Sequence, residues 1–203
     1  MILIGYSGHA FVVYGIFKAA GISVTGYCDK IERANNPFLL YYFGPEESEY
    51  AQQALHEKGC FIAIGDNDIR SNIYSMLSLK DIQIKNAIHP LANIDYSSEI
   101  AEQAVMVGAG VTINPLTKIG TGVICNTGCI IEHENIINNF AHIGPGAVLC
   151  GNVVIGEKTF IGANAVVKQG IIIGKGVIIG AGAVILKDVP DHVVVIGNPG
   201  KPY

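Results

Sequence analysis

From Val107 to Ile185 the chain repeats every six residues. Val107, Ile113, Ile119, Cys125, Ile131, Ile137, Ile143, Leu149, Ile155, Ile161, Val167, Ile173, Ile179 and Ile185 are Val, Ile or Leu in thirteen of fourteen cases, and Cys125 is small and apolar. No helix has that period, and a flat strand repeats every two residues. Gly or Asn follows the aliphatic in ten of the fourteen hexads, and the position four beyond it is mostly small or β-branched. The pattern predicts a left-handed parallel β-helix of triangular section. Three hexads make a turn, residues 18 apart stack, and 78 residues give somewhat over four turns. Neighbouring turns stack at roughly 4.8 Å.

Residues 1–90 read differently, as a Rossmann-like α/β domain. Short apolar strands over MILIG, Ile22–Cys28, Cys60–Ile64 and Ile84–Ile88 alternate with helices near residues 9–20, 45–58 and 69–79, with an edge strand possible in Phe38–Phe43. Strand alternating with helix implies a parallel sheet. Ligands of such sheets sit beyond the carboxyl ends of the strands, where Gly5–Ala10, Cys28–Lys30 and Gly65–Asn67 fall together. Ser7, Gly8 and His9 open a helix whose N–H groups and dipole suit an anion such as phosphate. The same glycines also suit a tight turn with no ligand. Asp29 suits a ribose hydroxyl, and equally a cap or turn. The coil is expected over 91–188 and a C-terminal cap over 189–203, shielding its last open edge.

The net charge of −4 argues against a general nucleic-acid surface. No apolar run reaches the ~18 residues of a membrane span, and the N-terminus lacks the basic start of a signal peptide. Five cysteines without a C-x-x-C pair favour reduced thiols and a cytoplasmic location.

One turn breaks the pattern. Asn126, Thr127, Glu132, His133, Glu134, Asn135, Asn138, Asn139 and His142 crowd a coil otherwise made of Val, Ile and Gly. His133 lies two beyond the inward Ile131 and should point outward. Beside Glu134 it is a candidate general base, since a carboxylate orients the ring and stabilises its protonated form; a solvated surface histidine is the plainer alternative. His142 precedes the inward Ile143 and should also point outward, stacked between Ile124 and Phe160. Nine residues, half a turn, separate the two histidines. They converge only if coils pack side by side in an oligomer. Only these two of six histidines lie in the regular coil, and no H-x-x-x-x-H pair exists, so no metal site is expected.

With Asn126–Asn135 (NTGCIIEHEN), Asn139–Ala147 (NFAHIGPGA) and Val195–Pro199 (VIGNP) behind an α/β domain, the chain resembles the sialic-acid O-acetyltransferase-like family of hexapeptide-repeat acyltransferases. Within it, it is most similar to bacterial UDP-4-amino-sugar N-acetyltransferases of bacillosamine-type pathways. The resemblance implies a homotrimer that moves acetyl from acetyl-CoA to the amine of a nucleotide-linked sugar by direct attack. It implies His133 as general base and Glu134 as its orienting acid. It places His142 at the thioester end of acetyl-CoA, and the backbone of Ala163 and Ala181 along the CoA arm. Ser7, Gly8 and His9 match the loop that holds the sugar nucleotide's diphosphate. Asp29, Lys30, Gly65, Asp66 and Asn67 match nucleoside contacts, and Asn126 a polar residue near the sugar. Lys30 and Asp66 depart from the family's usual acid and Asn, and the segment 31–45 is long and aromatic, which leaves the nucleotide open. Sugar O-acetylation and a non-enzymatic nucleotide-sugar scaffold are the alternative functions. A scaffold would have no need of the His133–Glu134 pair.

Overall fold

The computed structural model describes residues 1–203. Its N-terminal sheet is four-stranded and parallel, ordered β3-β2-β1-β4, with β1 Ile2–Ile4, β2 Gly26–Cys28, β3 Tyr41–Tyr42 and β4 Cys60–Ile62. Helix α1 (Gly8–Ala19) connects β1 to β2, and α2 (Glu49–Lys58) precedes β4. Helix α3 (Asn67–Ser78) follows β4. Gly5 turns the chain between β1 and α1 at φ +84, where a Cβ would also meet the Ile64 side chain at 2.6 Å. Only glycine takes that conformation without strain.

Several sequence expectations shift in detail. Helix α2 begins at Glu49, not Pro45, because the Ser48 hydroxyl accepts the Ala51 N–H and caps it there. Helix α3 begins at Asn67, two residues earlier than expected, because Asp66 is its N-cap and accepts the Ile69 N–H at 2.9 Å. The expected last strand over residues 84–88 is split. Ile84 bridges Cys60 in the first sheet, whereas Ala87–Ile88 pairs with Met106–Val107 in the coil.

The coil has three faces. Face 1 stacks Ala87–Ile88, Met106–Val107, Ile124–Cys125, His142–Ile143, Phe160–Ile161 and Ile178–Ile179. Face 2 runs from Asn93–Ile94 to Val184–Ile185, and face 3 from Glu99–Ile100 to Ile172–Ile173. Every pairing between turns is parallel, and residues 18 apart are partners from Val107 onward, as Ile124 with His142 and Ile143 with Ile161. The earliest turn is offset by one residue: Ile88 pairs with Val107 and Ile94 with Ile113. That single extra residue is why the period is obscured before Val107. Twenty-seven buried residues, nearly all from the repeat, fill the prism.

The chain keeps pairing past Ile185. Val189 bridges Ile173, Val194–Ile196 joins face 1, and Lys201–Pro202 pairs antiparallel to it. The carboxylates of Asp188 and Asp191 accept the Ile172 and Lys175 N–H groups, which would otherwise look out from the open end of face 3 and its corner.

The two parts join along face 1. Its outward column begins Ala87, Met106, Ile124, and these pack in one apolar cluster with Tyr6, Ala10, Val13, Ile16 and Phe17 of the first domain. The next residue down that column is His142.

Candidate active site

Between Gly110 and Gly182 every sixth residue has positive φ, from 56 to 72. This is the corner position, and glycine holds it in seven of thirteen hexads. Leu116, Glu134, Phe140, Asn152, Lys158 and Asn164 occupy the others. A side chain there costs on the order of 1 kcal/mol, less for Asn. Three of the strained residues, Glu134, Phe140 and Lys158, carry contacts of the candidate site.

Glu134 lies at the corner between faces 2 and 3. Its Oε2 is 3.0 Å from His133 Nδ1. Both side chains are open to solvent, His133 at 47%, and no protein group binds His133 Nε2. Below the ring lies Gly151, where a Cβ would strike it. The repeat thus places a histidine ring, a carboxylate against its Nδ1 and a glycine that makes room for the ring.

His142 points outward from face 1 as expected, but the first domain covers it and it is only 7% exposed. Its Nδ1 lies 3.3 Å from the Gly65 carbonyl, and its Nε2 lies 3.1 Å from Asn126 Nδ2. Asn126 Oδ1 accepts the Thr127 N–H, so its Nδ2 faces the ring as a donor. The ring is therefore satisfied as a neutral group with its proton on Nδ1. Burial, then the charge of Arg70 and the neighbour His9, pull its pKa down to about 3. Phe160 meets the ring edge-to-face at 5.0 Å. His9 lies 6.1 Å away, its Nε2 buried without a partner, and burial followed by Arg70 lowers its pKa to about 4.

His9, Gly65, Asp66, Asn67 and His142 line one cavity of about 860 Å³, closed below by Lys158, Phe160, Lys175 and His192. Lys158 pairs with Asp68 at 3.0 Å, and its carbonyl accepts Asn67 Nδ2 at 2.9 Å. The loop after β4 is thereby tied to the coil.

The other expected ligand contacts divide into free and engaged groups. Ser7 is exposed at the N-cap of α1 with its hydroxyl making no cap bond; Gly8 and Lys30 are also exposed. Asp29 is buried and fully engaged: it accepts the Tyr6 and Lys30 N–H groups and binds Arg33 through both oxygens at 2.8 Å. Burial opposes its charge, but Arg33 and those N–H groups outweigh it and hold its pKa below the ordinary value. Ala163 and Ala181 stack at the corner between faces 1 and 2, below Thr127 and Pro145. Their N–H groups donate to no protein acceptor. Burial pushes the Cys28 and Cys60 thiols up to about 12, far from a nucleophile's range.

One chain does not bring all these groups together. His9, Gly65 and His142 share the cavity on face 1, Ala163 and Ala181 sit at the far corner of that face outside the cavity lining, and His133 lies a full face away. Sequence reasoning missed Arg70, Phe140, Lys158 and Arg33. Arg70 had a signal: it takes a core position of α3, seven residues before Leu77, where the helix otherwise buries apolar groups.

This arrangement has counterparts. The PglD N-terminal domain family matches residues 1–77, and the bacterial transferase hexapeptide (six repeats) family matches 135–169 and 152–187. A mutant of perosamine N-acetyltransferase from Caulobacter crescentus, solved with CoA and GDP-perosamine, is 36% identical over the whole chain and 95% of its own, with a TM-score of 0.92. The acetyltransferase domain of PglB from Neisseria gonorrhoeae, in complex with acetyl coenzyme A, is 32% identical over the whole chain and 98% of its own, with a TM-score of 0.90. WeeI from Acinetobacter baumannii shares the fold at 24% identity and a TM-score of 0.87. The fold is that of an acetyl-CoA-dependent hexapeptide acyltransferase. The chain belongs to the sugar N-acetyltransferase family that joins a PglD-type N-terminal domain to a left-handed β-helix. No helix is long and apolar enough to cross a membrane.

Proposed function

We propose that this protein N-acetylates the amine of a nucleotide-linked 4-amino sugar, with acetyl-CoA as the second substrate and His133 as general base. The observation that carries the reading is the His133–Glu134 pair, 3.0 Å apart on a coil corner with Nε2 free. Glu134 fixes the proton of His133 on Nδ1 and leaves the Nε2 lone pair facing outward. His133 Nε2 then takes a proton as the amine nitrogen attacks the thioester carbonyl carbon. The new C–N bond forms, the C–S bond breaks, and His133 returns the proton to the departing sulfur.

His142 and the free N–H groups of Ala163 and Ala181 would hold acetyl-CoA along the edge of face 1. Ser7, Gly8 and His9, with the helix N-terminus behind them, would take the diphosphate. Lys30, Gly65, Asp66 and Asn67 would form the nucleoside side, Asp29 would act there by holding Arg33 in place, and Asn126 would lie near the sugar. Lys30 and Arg33 give that side a different charge from the usual pair of acids. GDP- and UDP-linked sugars are therefore both candidates.

The distance between His133 and His142 on one coil argues for a homotrimer with its sites between subunits. Faces 2 and 3 support that assembly, because they leave Ile130, Ile136 and Ile172 exposed at 37%, 42% and 54%. Side-by-side coils would cover them. We place the enzyme in the cytoplasm, in keeping with its five unpaired cysteines.

The test is incubation with acetyl-CoA and a panel of GDP-, UDP- and dTDP-4-amino sugars, following CoA release. Release with at least one of them and an alkali-stable acetyl product are expected. An alkali-labile ester product would make the enzyme an O-acetyltransferase, and no turnover with any amine would overturn the reading.

A further inference from the structure

Arg70 joins the loop after β4 to two corners of the coil. It is 0% exposed. Its Nε donates to the Gly122 carbonyl at 2.8 Å. One terminal nitrogen donates to the Ile64 and Gly65 carbonyls at 3.1 and 2.9 Å. The other donates to Asn67 Oδ1 and the Phe140 carbonyl, both at 2.8 Å. All five N–H donors of the guanidinium are thus used, every one on a neutral oxygen.

No carboxylate touches Arg70. Burial lowers its pKa to about 10, with only Asp66 acting against that. A buried cation without a counter-ion is costly, and an apolar side chain of similar length would fill the space at less cost. The contacts show what the charge holds. The Gly65 carbonyl accepts from Arg70 on one side and lies 3.3 Å from His142 Nδ1 on the other. Phe140 and Gly122 frame the corners that flank the same column of face 1.

We propose that Arg70 is a positioning residue for acetyl transfer: by clamping the Gly65 carbonyl against His142 Nδ1, it fixes His142 as a neutral ring whose Nε2 is a hydrogen-bond acceptor. The inference rests on the reading of His142 as part of the transfer site. Its consequence is chemical. The His142 N–H is committed to Gly65, so what displaces Asn126 from Nε2 must be a hydrogen-bond donor, an N–H or O–H. His142 thus orients a donor group of the substrate, and Arg70 ties that orientation to the loop that carries Gly65 and Asn67.

The test uses full-length protein with ¹⁵N-labelled histidine. A long-range ¹H–¹⁵N spectrum at neutral pH reads the tautomer of each ring, with His142 assigned by comparison with His142→Gln. A protonated Nδ1 and an acceptor Nε2 are expected, the reverse of the tautomer that free histidine favours. Arg70→Lys keeps a charge but loses the planar fork. In that variant His142 should become a mixture of tautomers, and the KM for acetyl-CoA, the substrate His142 is read to contact, should rise roughly tenfold or more.

A wild-type ring protonated on Nε2 overturns the proposal, even if Arg70→Lys fails to fold. So does a folded Arg70→Lys protein with unchanged tautomer or unchanged steady-state constants. The wild-type spectrum needs no acceptor sugar, so an error about the acceptor would leave this result readable.

Discussion

His133 and His142 stand nine residues apart on one coil, and the six-residue period points both away from its core. They end in opposite environments. His133 sits at an open corner, paired with Glu134, its Nε2 free. His142 sits on the one face that the first domain covers, with both ring nitrogens occupied and its pKa drawn down to about 3. The coil gives both histidines a rigid outward placement, and the docked domain decides which one remains open. In the proposed reaction the open ring handles the proton and the covered ring is a fixed contact.

The largest expected effect comes from removing the open ring. His133→Ala should lower kcat by about 10²–10⁴-fold while leaving CoA binding and the oligomer intact, as steady-state kinetics and light scattering would show. A variant retaining a tenth or more of the activity would remove His133 as the base. Glu134→Gly should lower kcat by on the order of tenfold. Its melting temperature should stay within a few degrees of wild type, because glycine relieves the positive φ that Glu134 adopts. A stability loss matching the activity loss would make Glu134 structural instead.

The buried rings should also appear in the pH dependence of stability. His142 and His9 have native pKa values of about 3 and about 4, below the ordinary 6.5. The unfolded chain therefore takes up protons that the native state refuses. Stability is full above about pH 6.5 and falls as pH drops towards those native values, by up to about 1.4 kcal/mol per pH unit for each ring. Denaturant unfolding between pH 7 and 4 measures that slope. His142→Asn should make it shallower. An unchanged slope in that variant would contradict the buried, neutral state of His142.

The coil and its irregular turn were legible because a period of six has few structural solutions and because nothing in packing calls for Glu-His-Glu there. Burial of His142 was not legible, since it depends on Met106 and Ile124 docking against α1, far away in sequence. The engagement of Asp29 was hidden for a similar reason: Arg33 comes from the irregular segment after β2. The positive-φ corner series could have been read from Gly110, Gly122, Gly128, Gly146, Gly170, Gly176 and Gly182. Against those glycines, Glu134, Phe140 and Lys158 stand out as side chains kept at a cost. The match at Ala163 and Ala181 rests on backbone N–H groups, and a residue name carries little information about those.

The most direct measurement is complementation between two defective chains. His133→Ala and His142→Ala subunits, each inactive alone, would be co-expressed under different tags and the mixed oligomers isolated. If each site takes His133 from one subunit and His142 from its neighbour, every mixed trimer holds one intact site of three, so the isolated mixed oligomers should recover about one third of the wild-type sites. Mixed oligomers with no recovered activity would contradict a site assembled between coils.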